Sequence, residues 1–304
     1  MGTRRRNNKS YPIHQCALYK LRNKRKLASI LGLPLPKLLR LVKLGDRNYH
    51  QFEINPAGRK PRPVQHPKAR LEQIHARLFE LLRRVTPPAY LHSGIKGRSY
   101  VTNAKSHLGE HPVCKLDIKS FYPSTTYQHV SQFFRDTLSC SPDVAAILTS
   151  LTTVNGHLPT GSCLSQILAF YSHVEMFNKI HNAASDLGIT MTCYVDDITC
   201  SGEGVTPGFL FEIKKIIHKR GLTYHKERIY RSDEPKLITG VIINKDEARV
   251  PNKLQRVIHE GIDELAASTV DDLRSLAGKC NAAAQIEPHF LGIASRVRGY
   301  KPGA

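Results

Sequence analysis

The sequence predicts an α+β fold. Three observations carry that expectation: strand-like runs alternate with stretches of helical periodicity through most of the chain, Pro and Gly clusters punctuate them, and after Pro251 the pattern is helical almost to the end. A chain of 304 residues is long enough for one large domain or two or three lobes.

The elements follow in order. Residues 17–45 carry Leu at helical spacing between basic residues, broken at Pro34 and Pro36, and predict two short amphipathic helices. Residues 49–66 alternate around Pro56-Ala57-Gly58, as a hairpin does. Between Pro67 and Val85, Leu71, Ile74, Leu78, Leu81 and Leu82 share a helical face, and Pro87-Pro88 stops it. Val113–Ile118 reads as a short strand, residues 126–138, 142–152 and 163–187 as helices, and Met191–Ser201 as a tight hairpin. Residues 207–220 form another amphipathic helix and Lys236–Asn244 a strand. In the tail, Leu254, Val257, Ile258 and Ile262 lie on one helical face, and Leu273, Leu276 and Ala277 on another. Ser268 or Thr269 caps the second of these helices, with Asp271 and Asp272 in its first turn.

Charge is unevenly spread. Residues 1–100 hold 23 Lys/Arg against 4 Asp/Glu, and residues 101–304 hold 22 against 21, so nearly all of the net +20 lies in the first third. A field so concentrated attracts polyanions and releases their counterions, which favours a nucleic-acid partner over a merely solubilising surface. No apolar run approaches the ~18 residues of a membrane span. The basic start, MGTRRRNNKS, is not followed by an apolar region, so no secretory signal is expected. Seven cysteines without a CxxC motif argue for reduced thiols in a cytoplasm rather than disulfides or a zinc site.

The chemistry centres on Tyr194-Val195-Asp196-Asp197. Adjacent carboxylates among β-formers repel, and call for a compensating cation. Alone, the pair reads equally as a solvated turn. A third carboxylate, Asp117, ends the apolar strand Lys115-Leu116-Asp117-Ile118 and is followed by Phe121-Tyr122-Pro123. Were the three to converge, they would suit hard divalent cations such as Mg²⁺, which take oxygen ligands and leave room for phosphates. Two such ions about 3.5–4 Å apart drive phosphoryl transfer.

LDIKSFYPS (116–124), LPTGSCLSQ (158–166), YVDD (194–197) and GLTYHKERI (221–229) resemble, in order and spacing, the palm motifs of reverse transcriptases. Asn103-Ala104-Lys105-Ser106-His107 and Ile238-Thr239-Gly240 resemble the NAxxH and VTG stretches of the retron enzymes. The likeness covers roughly residues 50–250. It departs at Thr160, where the family usually has Gln, at Gln166, where it has Pro, and at Val195, where retron enzymes commonly have Ala. These departures bear on nucleotide discrimination and fidelity more than on polymerisation.

The resemblance implies a right-hand polymerase: a basic helical extension (1–48), fingers (49–112), a palm with part of the fingers inserted (113–243) and a helical thumb (244–304). It makes Asp117 and Asp196 ligands of two Mg²⁺ ions, with the Ile118 carbonyl assisting and Asp197 as the third carboxylate; Mn²⁺ would serve similarly. Tyr122 takes the position of the gate that excludes a ribose 2′-OH, or is simply a half-buried aromatic. Arg59, Lys60 and Arg62 match finger positions that hold the incoming dNTP, or form a solvated basic hairpin. Thr160 and Gly161 belong to the nucleotide pocket, and Lys226, with Arg228, to the leaving pyrophosphate. Asn103 and His107, four apart on an expected helix, imply contact with a structured noncoding RNA, although a structural role suits the His107 ring. Arg98 would contact triphosphate or template, Thr239-Gly240 the primer end, and Lys253 and Arg256 the duplex groove. The implied partners are a noncoding RNA that supplies template and primer, the RNA–DNA hybrid product, dNTPs and an effector protein, in an anti-phage system. The rivals are a defence-associated reverse transcriptase outside the retrons and an RNA-binding scaffold without catalysis.

Overall fold

The computed structural model describes residues 10–55, 58, 60–265 and 268–300. In chain order the α-helices are α1 (Lys24–Ile30), α2 (Leu35–Leu44), α3 (Ala69–Leu82), α4 (Tyr100–Lys105), α5 (Phe121–Ser124), α6 (Tyr127–Gln132), α7 (Pro142–Thr152), α8 (Ser165–Ser172), α9 (Val174–Ser185), α10 (Pro207–Lys219), α11 (Asn252–Asp263), α12 (Val270–Ala284) and α13 (Phe290–Gly299). The strands are β1 (Tyr49–Ile54), β2 (Arg62–Pro67), β3 (Val113–Ile118), β4 (Thr190–Tyr194), β5 (Asp197–Ser201), β6 (Tyr224–Tyr230), β7 (Lys236–Ile238), β8 (Val241–Asn244) and β9 (Glu247–Arg249). The class is α+β, as expected.

The described residues form two compact units. The first draws on Met1–Ala89, Ile118–Lys179 and Ile216–Thr223; the second on Tyr90–Asp117, Ile180–Lys215 and Tyr224–Ala304.

In the first unit, α1 and α2 bury Leu27, Leu38 and Leu41 and leave Lys24, Lys26, Lys37, Arg40 and Lys43 exposed, so the basic face is a by-product of amphipathic helices. Asn23 caps α1, accepting from the Lys26 N–H at 3.0 Å. β1 and β2 pair antiparallel from Tyr49↔Pro67 to Ile54↔Arg62. Two expected helices are interrupted. The 126–138 stretch is α6 followed by a π turn at Phe133–Thr137, and 163–187 breaks at His173 (φ −120°, ψ 12°) into α8 and α9. The buried His173 ring meets Thr125 Oγ1 at 3.1 Å and accepts from Arg220 Nε at 3.2 Å, so the kink serves a polar contact that periodicity does not register.

In the second unit a four-stranded sheet runs β4-β5-β3-β6 and a smaller one β7-β8-β9. The expected single strand 236–244 is instead the β7–β8 hairpin, turned by Thr239 (φ +43°) and Gly240 (φ +86°). One apolar core joins Val113, Tyr230, Val241 and Ile243 of the sheets to Ile258, Leu276 and Cys280 of the helical tail. Thr269 is the cap of α12, in a capping box with Asp272. Among the described residues no helix is long and apolar enough to cross a membrane.

Candidate active site

The second unit assembles the carboxylates through strand register. β3 pairs antiparallel with β5 so that Asp117 lies opposite Asp197, and β4 pairs with β5 so that Tyr194 lies opposite Asp197. Val195 and Asp196 form the two-residue turn between β4 and β5. Val195 sits at φ +60°, a left-handed conformation that costs a β-branched residue on the order of 1–3 kcal/mol. Its N–H donates to Ser93 Oγ at 2.9 Å, which helps hold the turn. The result is that one oxygen each from Asp117, Asp196 and Asp197 lies within 4.8 Å of the others.

This crowding shows in the electrostatics. Burial first, and then the Asp117 charge, push Asp196 up to about 6. The same two causes raise Asp197, opposed by Lys115 and Lys226. Asp117 itself is engaged by Lys226 Nζ at 2.7 Å and His225 Nε2 at 2.6 Å, and Lys226 is raised by that pairing. Lys226 also adopts φ +53°. An all-oxygen donor set with unrelieved repulsion fits a hard divalent cation, and the Lys226 ammonium stands in for part of that charge.

A buried histidine braces the β4–β5 hairpin. His107 lies just past the C-cap of α4, not on the helix, and is fully buried. Its Nδ1 bonds Ser201 Oγ at 2.7 Å and its Nε2 bonds Thr192 Oγ1 at 2.7 Å, spanning β5 and β4. Burial drives its pKa down to about 3, so the ring is neutral. Asn103, also buried, donates to Thr239 Oγ1 at 3.4 Å, and Thr239 donates to the Tyr100 carbonyl at 2.8 Å. His107 thus lies off the helix that the four-residue spacing suggested, and both side chains point inward, tying α4 to the hairpin of Asp196 and to the Thr239-Gly240 turn, in keeping with the structural role that suits the His107 ring. Arg98 gives its guanidinium to the Leu91 carbonyl at 2.5 Å. Arg228 lies over the Tyr230 ring at 4.2 Å. Lys253 and Arg256 are exposed on α11, Arg256 beside Glu260 at 3.5 Å.

The first unit holds Thr160 and Gly161. The Thr160 N–H donates to Gln65 Oε1 at 3.2 Å and its hydroxyl to the Pro63 carbonyl at 2.9 Å. The Gly161 N–H donates to the Gln65 carbonyl at 3.1 Å. A Cβ at Gly161 would come within 2.9 Å of that carbonyl and of Val64 Cγ1, so the glycine is required by β2 itself. His75, buried and lowered to about 4, links Ser162 Oγ at 2.6 Å to the Leu151 carbonyl at 2.8 Å. Lys60 and Arg62 are exposed, Arg62 at the start of β2, and Tyr122 is half-buried on α5 beside buried Phe121. Arg59 lies outside the described residues. Ile118 ends β3, its side chain buried.

Sequence reasoning missed Lys115, Ser93, Thr199 and His225. Lys115, Thr199 and His225 are lone polar residues on strands, which carry no periodic signal, and Ser93 lies in a turn and joins the site only through the Val195 N–H.

No protein-family profile matches the sequence. Individual relatives do. The retron Se72 reverse transcriptase of Salmonella heidelberg (strain 579083-10) is 32% identical over 179 residues, 58% of this chain and 47% of that protein. The retron Mx65 reverse transcriptase of Myxococcus xanthus is 29% identical over 223 residues, 65% of this chain and 52% of that protein. The retron Ec86 reverse transcriptase of Escherichia coli is 20% identical over 279 residues, 88% and 86% respectively. The chain is thus similar in sequence to retron reverse transcriptases, and it spans about half the length of the first two of these. Among solved structures, a foamy viral protease–reverse transcriptase in complex with double-stranded DNA matches with a TM-score of 0.49 and 17% identity, over 83% of this chain and 38% of that one.

Proposed function

We propose that this chain is an RNA-directed DNA polymerase of the retron type. The observation that supports it most is the convergence of Asp117, Asp196 and Asp197 within 4.8 Å on adjacent strands. Divalent cations bound there would polarise the attacking hydroxyl and neutralise the departing pyrophosphate. Asp117, Asp196 and Asp197 would hold them, with Lys226 and His225 sharing the Asp117 carboxylate. The Lys226 ammonium beside that carboxylate would meet the leaving phosphate. In the reaction the primer hydroxyl oxygen bonds the α-phosphorus of a dNTP, the bond to the β-phosphate oxygen breaks, and the hydroxyl proton passes to solvent. His107, locked neutral, keeps the hairpin of Asp196 in place throughout.

The same reading assigns Lys60 and Arg62, with Arg59, to the dNTP phosphates, Tyr122 to exclusion of a 2′-OH, and Thr160-Gly161 to the nucleotide pocket. It gives the exposed cations of α1 and α2 to a structured noncoding RNA, whose hydroxyl primes an RNA-linked DNA. An effector protein and a cytoplasmic setting for the free cysteines belong to it as well. The test is extension of an RNA-templated primer with Mg²⁺ or Mn²⁺, by the wild type and by Asp196→Ala. Extension by the wild type alone is expected; equal inertness of both on several templates would sink the reading.

A further inference from the structure

Lys115 stands two residues before Asp117 on β3. Strand alternation sends both side chains to one face, about 6.6 Å apart along the chain. Lys115 lies opposite Thr199 on β5, as Asp117 lies opposite Asp197. A groove on this face runs from Asp117 and Asp197 past Thr199 and Lys115 to Thr239 and Gly240. One end of the groove is anionic and calls for metal. The other offers the Lys115 ammonium and the Thr239-Gly240 turn, the Thr239 hydroxyl being taken up by the Tyr100 carbonyl.

The two lysines of the groove differ in what holds them. Lys226 is ion-paired to Asp117 at 2.7 Å. Lys115 gives one N–H to a neutral partner, the Leu237 carbonyl, at 2.8 Å. An ammonium has three donors, so two remain beyond the carbonyl, and among the described residues its charge otherwise meets only the Tyr230 ring face at 5.8 Å and the field of Asp197. Leu237 precedes the Thr239-Gly240 turn, so the bond fixes the ammonium beside that turn. The step from Asp117 to Lys115 is comparable with the spacing of successive phosphates along a nucleic-acid strand.

We infer that Lys115 binds a backbone phosphate of the primer strand, next to the nucleotide whose hydroxyl reacts at Asp117 and Asp197. This rests on the polymerase reading above. The strand end at the carboxylates runs back along the groove, its first internal phosphate on Lys115 and its sugar against Thr239-Gly240. Lys115 thereby registers the primer rather than taking part in bond making.

The experiment measures binding of the full chain to a fluorescent DNA primer annealed to an RNA template, by anisotropy from 50 to 300 mM salt (roughly the range over which counterion release is steep). Lys115→Gln keeps a donor for Leu237 and removes the charge; Lys115→Arg keeps the charge. The glutamine variant is expected to bind about five- to tenfold more weakly near 0.1 M salt. Its slope of log affinity against log salt is expected to fall by about 1. The arginine variant should retain the wild-type slope, and the KM for dNTP should not move in either. A glutamine variant with wild-type affinity and slope, beside an active wild type, overturns the assignment and leaves the polymerase reading standing. A wild type that extends no primer overturns that parent reading, which the extension assay detects separately from the binding slope.

Discussion

The two compact units build their candidate sites from opposite materials. In the second, three carboxylates are forced together by strand register, and the conflict is left open: Asp196 is pushed to about 6 and Val195 sits at φ +60°. In the first, the Thr160-Gly161 loop is laid on β2 through neutral hydrogen bonds to Gln65 and Pro63, with every named donor satisfied. One site stores repulsion that a ligand relieves; the other is a finished shelf. A site of the first kind tolerates no loss of charge for function yet gains stability from it. A site of the second kind tolerates no added volume.

The largest expected effect follows from the first half of that contrast. Asp117→Ala and Asp196→Ala are each expected to lower the rate of primer extension by ~10³-fold, the equivalent of ~4 kcal/mol, because each removes a cation ligand from the reaction centre. Steady-state extension at saturating Mg²⁺ measures it; a loss under tenfold would place the chemistry elsewhere.

Gly161→Ala tests the second half. The new Cβ meets the Gln65 carbonyl at 2.9 Å, a backbone atom that cannot rotate away. The expected cost is about 1–3 kcal/mol of stability and roughly a tenfold rise in the KM for dNTP, read by urea unfolding and extension kinetics. A variant that binds dNTP and unfolds like the wild type would mean that the shelf is soft.

His107→Ala lies near the same scale in stability and applies to the second unit alone. It leaves Ser201 and Thr192 hydroxyls without their shared partner and opens a buried hole, for about 2–4 kcal/mol. Activity in the remaining folded protein should drop as well, since the β4–β5 turn loses its brace. If instead only RNA binding falls and stability holds, the inward placement of His107 is not what matters.

How much of this was legible in the sequence depends on the kind of signal. The β1–β2 hairpin, α3 and the α12 cap show in alternation, in Leu spacing and in Thr269-x-x-Asp272, because each is a local pattern with a local cause. Strand β6 does not show: Tyr224–Tyr230 buries little besides Tyr230, so the sequence YHKERIY has no apolar alternation to read. The break at His173 is invisible because its cause, Arg220 and Thr125, lies far away in the chain. The three carboxylates were legible as candidates through the motifs around them, but their convergence is a matter of register. Asn103 and His107 show the limit of spacing for the same reason. Residues four apart suggest a shared helical face, whereas α4 ends at Lys105 and both side chains turn into the core.

The smallest expected effect sets Asp196 against the buried histidines of both units by pH. His107 and His75 have pKa values lowered to about 3 and about 4. Stability from a depressed group is complete above its unfolded value near 6.5 and is lost as pH falls toward the folded value. Asp196 works the other way. Its folded pKa is raised, so the metal-free protein is most stabilised by it below about 3.8 and loses that contribution as pH rises through about 6. Removing the charge therefore pays off only where the charge exists. Without divalent metal, Asp196→Asn is expected to melt a few degrees above the wild type at pH 7.5, on the order of 1 kcal/mol after allowing for solvent. That advantage should shrink toward zero by about pH 4.5, where Asp196 is already protonated. Mg²⁺ should raise the wild type more than the variant, because it compensates one charge that the variant lacks. An advantage that persists unchanged at low pH would make the gain one of packing, and the second unit would then resemble the first.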